Sequence, residues 1–164
     1  MTAQEVRAAT CHGSLIELLK ELNKDKNWRE IFGRPSIRLK DQELILRFFA
    51  LYLEKVKYKR PINEFLNKFA SRRRNAPIKF LEVCRERFTS TIAVAFDALG
   101  AKAFRPIGTL NAAVFDSVMV GIAKRLEQGP IKKPSKLADA YAKLLDKQTY
   151  KDATSSATSD EKNV

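Results

Sequence analysis

Chemistry in this chain would have to begin from very few residues, because the sequence holds two cysteines and a single histidine. Cys11 and His12 are neighbours, which invites a nucleophile beside its base. Adjacent side chains at a helix end point apart, however, and no third group stands ready to orient them. Cys84 completes a set too small for metal-ligand spacing or a disulfide framework, so no metal and no cofactor is expected. Glu82 and Glu86 stand at i, i+4 spacing with Arg85 between them. On an exposed helix face such carboxylates form a solvated stripe more often than a general acid and base. The 6 glycines never cluster into a phosphate-cradling loop, and no serine-centred elbow is present. These absences point to a non-enzymatic chain with no small-molecule substrate.

The charges say more. Lys and Arg number 31 against 19 Asp and Glu, a formal net charge of +12. Such a field attracts polyanions: DNA, RNA, an anionic membrane surface or an acidic protein. Three consecutive arginines, Arg72, Arg73 and Arg74, are the densest cationic run. A tight turn at Tyr58 to Pro61 would make the helix before it and the helix after it antiparallel neighbours. That arrangement carries the arginines toward Arg38 and Lys40, places Lys79 at the start of the next helix, and leaves Lys55, Lys57 and Lys59 at the far end. These six, Arg38, Lys40, Arg72, Arg73, Arg74 and Lys79, are the candidate phosphate contacts. The plainer alternative is that the three arginines solubilise a loop and favour a helix C-terminus.

Arg47 is a separate question. It lies in the stretch 41–57, whose apolar residues surround a helical wheel and require burial. Lys40, Glu43, Arg47 and Glu54 form one narrow polar stripe along it. Arg47 either pairs with Glu43 one turn earlier or meets a phosphate or a distant carboxylate with its planar donor fork.

The elements that would position these residues are all helical. Thr2 to Glu5 reads as a capping box, and a first helix from Gln4 to Ala9 should close at Gly13 in a left-handed cap. Ser14 to Glu17 reads as a second box, opening a helix that buries Leu15, Leu18, Leu19 and Leu22. A short helix from Asp25 carries Trp28, Ile31 and Phe32. Beyond Pro61, Ile62, Phe65, Leu66 and Phe69 give one apolar face. A long helix to about Leu99 lines up Leu81, Cys84, Phe88, Ile92, Ala95 and Leu99, with Cys84 as a small core residue. Thr109 should cap a second buried rod over 109–127, and Ser135 a helix with Leu137, Tyr141 and Leu144 on one face. The expectation is an all-α bundle of about seven or eight helices around the rods 41–57 and 109–127. It forms a single domain over 1–153, followed by a mobile polar tail over 154–164. No stretch approaches the roughly 20 apolar residues needed to cross a bilayer. With no secretory leader in the first residues, a cytoplasmic protein is expected.

Several segments in order carry a resemblance: Gln4 to Ala9, His12-Gly13, Asp41 to Ala50, Phe65 to Asn67, Ala103 to Arg105, Asn111 to Asp116 and Ser156 to Asp160. Together they resemble the helical second half of a bacterial domain of unknown function. That domain forms the N-terminal module of GmrSD-type modification-dependent restriction enzymes and of phage-defence proteins such as SspE. The resemblance implies that activity would reside in a ParB-like subdomain upstream, marked by Asp-Gly-Gln-Gln-Arg. This sequence has no Gln-Gln pair and no nuclease segment of the His-Asn-His type. What it implies here is a non-catalytic half, a fragment or a stand-alone helper, with Arg47 and Arg105 as the matched arginines.

Two functions follow. One is a module that binds or positions nucleic acid, DNA in the first place, through phosphate contacts with little base reading. The other is a protein-interaction module that docks on a separate ParB-like catalytic half or an acidic partner. Exposed apolar surface between Gln4 and Leu22 would favour the second.

Overall fold

A computed structural model describes residues 1–159. Among them the secondary structure is all-α, with helices α1 Ala3–Thr10, α2 Ser14–Leu22, α3 Lys26–Phe32, α4 Lys40–Glu54, α5 Ile62–Arg72, α6 Ile78–Leu99, α7 Ala112–Leu126, α8 Pro134–Asp146 and α9 Gln148–Ser159. Nine helices among the described residues slightly exceed the seven or eight expected. The stretch expected as a tail from 154 begins as helix, since α9 runs to Ser159 and Thr154 is buried. Positions 160–164 lie outside the described residues.

Local signals placed most ends. The Thr2–Glu5 capping box forms, and Asp25 accepts from the Trp28 amide to start α3. Four expected caps give way to neighbours. Gly13 has φ 163, an extended conformation, and is the N-cap of α2 rather than the left-handed end of α1. Its lack of a side chain serves another purpose, because a Cβ there would sit 2.3 Å from the Arg74 carbonyl oxygen. Ser14 accordingly makes no capping box. Its hydroxyl donates to the Ala76 carbonyl at 3.0 Å, tying α2 to the turn before α6. Asn111, not Thr109, caps α7 by accepting from the Ala113 and Val114 amides, and α8 begins at Pro134 rather than behind a Ser135 cap.

The two rods proposed from apolar content, α4 and α7, pack against each other at the centre. Phe48 and Phe115 are each 0% exposed. Trp28 of α3 packs its ring at a tilt 5.4 Å from that of Phe115, and the Phe88 ring of α6 lies 6.0 Å from that of Phe48. This aromatic cluster locks α3, α4, α6 and α7 together by the large apolar area that each ring removes from water. Cys84 belongs to the same core, and burial pushes its thiol up to about 11.

Polar pins fix the direction of the rods. Arg47 of α4 makes a bidentate contact with Asp116 of α7, Nη2 to Oδ2 at 2.6 Å and Nε to Oδ2 at 3.1 Å. Five residues on, the Tyr52 hydroxyl donates to Glu127 Oε1 at 2.6 Å, and Lys124 Nζ lies 4.8 Å from the centre of the Tyr52 ring. Contacts that advance together along both helices mean that α4 and α7 run parallel. Their C-terminal ends therefore share one pole of the bundle. At the opposite pole, fully buried Asp41 accepts from Asn23, Arg29 and the Ser36 amide, joining the end of α2, α3 and the start of α4.

Candidate nucleic-acid interface

The shared pole begins at Glu54, the last residue of α4 and 6% exposed. Arg72 Nη2 and Arg73 Nη2 both donate to its carboxylate, Arg73 at 3.2 Å, and Lys57 Nζ lies 3.6 Å from it. Burial alone would raise the carboxyl, but the charge and hydrogen bond of Arg72 outweigh it. With Lys57 and Arg73 adding, they hold Glu54 below the usual range. Glu54 is thus ionised at neutral pH and pins two arginines at the end of α5.

A short 3-10 turn, Lys55–Lys57, follows α4, after which Tyr58 and Pro61 are extended. Between this segment and α5 lies a cleft of about 180 Å³ lined by Lys57, Lys59, Arg60, Glu64, Phe65, Lys68 and Arg72. Five of those seven residues are cationic and one is acidic. Tyr58 packs edge-on against Phe65, ring centres 5.3 Å apart, which gives the exposed lysines an aromatic floor. What such a cleft can do chemically is hold an anion through exposed ammonium groups and one preorganised guanidinium.

The sequence had assembled a different patch, and the structure corrects it. Arg72 and Arg73 meet Glu54 at the C-terminal end of α4, while Arg38 and Lys40 stand at its N-terminal end, about 20 Å away at 1.5 Å per residue. The reason is the connection. The 3-10 turn and the extended residues to Pro61 make it longer than a tight turn, so α5 does not retrace α4. The buried Glu54 carboxylate captures the returning arginines instead. Lys57 and Lys59, expected at the far end, are therefore the residues that join Arg72. Arg74 Nε donates to the His12 carbonyl at 2.8 Å and braces the close approach at Gly13. Arg73 also places its guanidinium 4.6 Å from the centre of the Phe80 ring, beside exposed Lys79. Arg38 lies 3.9 Å from Glu5.

The other candidates are structural. Glu43 does not pair with Arg47. It accepts from Arg7 of α1, a 2% exposed residue that the sequence reading passed over. Arg7 Nε also donates to Gln4 Oε1 at 2.9 Å and its Nη1 to Asn67 Oδ1 at 2.9 Å, so one guanidinium ties α1 to α4 and α5. Burial pulls Arg7 below its ordinary value, against the opposing charge and hydrogen bond of Glu43. The available signal was the i, i+3 pair Gln4 and Arg7 on the inner face of a short helix. Arg105 Nη2 donates to the Ile31 and Phe32 carbonyls at 3.1 Å each, capping the C-terminal end of α3.

The enzyme-like constellations disperse. His12 Nε2 lies 3.3 Å from Glu17 Oε1. Arg85 pairs with Glu21 of α2 at 2.7 Å, not with Glu82 or Glu86. Among the described residues there is no group of three or more His, Cys, Asp and Glu placed to hold a metal ion. None of the helices among those residues is long and apolar enough to cross a membrane. Comparison with protein families, curated proteins and solved structures gives no match.

Proposed function

We propose that this chain is a non-catalytic helical module that binds nucleic acid, DNA in the first place, through the basic cleft between the end of α4 and α5. In the setting suggested by the resemblance above, it would position DNA for a restriction or phage-defence protein in the cytoplasm. The observation that carries the reading is the convergence of Lys57, Lys59, Arg60, Lys68 and Arg72 on one concave surface. Phosphate contacts from such a surface give affinity without base reading and release counterions on binding.

Docking on an acidic partner or a ParB-like half is the competing reading. Its expected mark was exposed apolar surface between Gln4 and Leu22. There Val6 is 41% exposed, and Leu15, Ile16, Leu18, Leu19 and Leu22 are all inside. That favours the nucleic-acid reading.

The test replaces Lys57, Lys59 and Lys68 together with alanine and follows anisotropy of labelled duplexes of unrelated sequence. Arg38→Ala/Lys40→Ala, at the opposite pole, serves as control. Affinity should fall alike for every sequence, and the log-log salt slope should shrink by about 0.9 per lost contact between about 50 and about 200 mM salt. The control should bind as the parent does. Unchanged affinity and slope in the triple variant would remove DNA from this cleft and leave docking on a protein as the reading.

A further inference from the structure

The cleft beside α5 has a counterpart. After α7, residues of the segment to the start of α8 enclose a larger cleft of about 680 Å³, in which Arg125, Lys132, Lys133 and Lys136 surround Pro130 and Ile131, with no acid in the lining. Arg125 Nη1 donates to the Gly129 carbonyl at 3.0 Å, which holds the guanidinium over the turn. Lys132, Lys133 and Lys136 are exposed.

The parallel packing of α4 and α7 decides where this second cleft lies. Arg47 pairs with Asp116, and Tyr52 bonds Glu127. The chain leaving α4 and the chain leaving α7 therefore emerge side by side at the same pole. Near that pole Lys124 of α7 and Arg87 of α6 add two more cations, their charged groups 4.8 Å and 5.5 Å from the centre of the Tyr52 ring, two residues before the end of α4. Antiparallel rods would have put the two basic segments at opposite ends of the molecule.

We infer that the two clefts are two phosphate sites on one track, and that the ligand is a DNA duplex long enough to reach both. This deepens the nucleic-acid reading and rests on it. Packed helix axes stand about 8–10 Å apart. With each cleft set beyond its rod by roughly half a helix diameter, about 5–6 Å, the separation to be bridged is roughly 20 Å. One base-pair step advances about 3.4 Å along a strand, so the bridge needs about six steps. A mononucleotide or a shorter duplex occupies one cleft only. An acidic protein is the less suitable partner, because the second cleft offers only Ile131 and Leu137 as large apolar anchors, whereas protein interfaces rely on a desolvated apolar centre.

Loop-closed DNA hairpins of increasing stem length, shorter and longer than about six base pairs, test this by anisotropy over a salt series. The proteins are the parent, the Lys57→Ala/Lys59→Ala/Lys68→Ala variant and a Lys132→Ala/Lys133→Ala/Lys136→Ala variant. All six side chains are exposed, and Glu54 keeps Arg72 and Arg73 when Lys57 is replaced, so thermal unfolding should change little. Affinity and salt slope of the parent should step up once the stem passes the bridging length. On short stems, which either cleft can hold, the second variant should lose no more than about twofold, and on long ones about tenfold, with a slope lower by up to about three. An equal loss at every length, or no loss at any, overturns the shared track. If the first variant is then still impaired, the single-cleft function stands; if neither variant is impaired, both readings fall. Competition by polyglutamate as strong as by DNA of equal charge would overturn the inference in favour of a protein partner.

Discussion

Removing Asp116 should cost more stability than removing the whole Arg47–Asp116 pair. Arg47 and Asp116 side chains are 8% and 13% exposed and touch at 2.6 Å, with further Nε contacts at 3.1 and 3.2 Å. At an effective dielectric of about 20, unit charges about 4 Å apart attract by about 4 kcal/mol. Desolvation of the two ions offsets most of that, so the intact pair contributes little net stability. Asp116→Ala removes the attraction and deprives the buried Arg47 guanidinium of this bidentate carboxylate, which costs up to about 3–5 kcal/mol. The double replacement Arg47→Met/Asp116→Leu removes the desolvation cost as well and should fall within about 1 kcal/mol of the parent or exceed it. Urea unfolding followed by helical circular dichroism measures this. With a slope of about 2 kcal/mol/M, Asp116→Ala should lower the midpoint by about 2 M, while the double variant stays near the parent. The cycle closed with the single variants Arg47→Met and Asp116→Leu should give a coupling energy favourable by more than about 2 kcal/mol. A single-variant loss under about 1 kcal/mol, or a double variant as unstable as the sum of both singles, would refute the claim that this pair is desolvated and joins α4 to α7.

Gly13→Ala should destabilise the protein by about 2 kcal/mol or more, because its Cβ would meet the Arg74 carbonyl at 2.3 Å and force the α2 start away from the turn before α6. A midpoint shift within error of the parent would place that close approach elsewhere. Acid should weaken the α4–α5 junction. Glu54 is held below its ordinary 4.5 in the folded state, so its contribution is fully present above about that pH and is lost as pH falls through the lower folded value. Glu54→Gln should accordingly flatten stability against pH below about 4.5, and an unchanged profile would show that Arg72 and Arg73 do not perturb it.

Helix identity was legible because the period of the apolar residues is local information. Phe65, Leu66 and Phe69, or Cys84, Phe88 and Ile92, need only their own spacing to declare a buried face, and all six are inside. The same holds for the rods α4 and α7, whose apolar residues cover most of the helical wheel, and for the Thr2–Glu5 box, where cap and partner are three residues apart. Caps at Ser14, Thr109 and Ser135 were misplaced because competing partners lay a residue or two away, or, for Ser14, 62 residues away in the turn before α6.

Charge pairing belonged to the tertiary structure. By sequence, Glu43 and Arg47 are ideal i, i+4 partners, yet Glu43 is taken by Arg7 and Arg47 by Asp116, since buried charges settle with the nearest desolvated partner in three dimensions. Composition determined that the molecule is cationic. It did not determine where the cations gather, because that depends on the relative direction of α4 and α7 and on the route of the chain from Glu54 to α5. Neither has a local signature. The sequence wrote the helices and their inner faces through short-range spacing; the basic pole arises only when parallel rods bring two separate cationic segments to the same end.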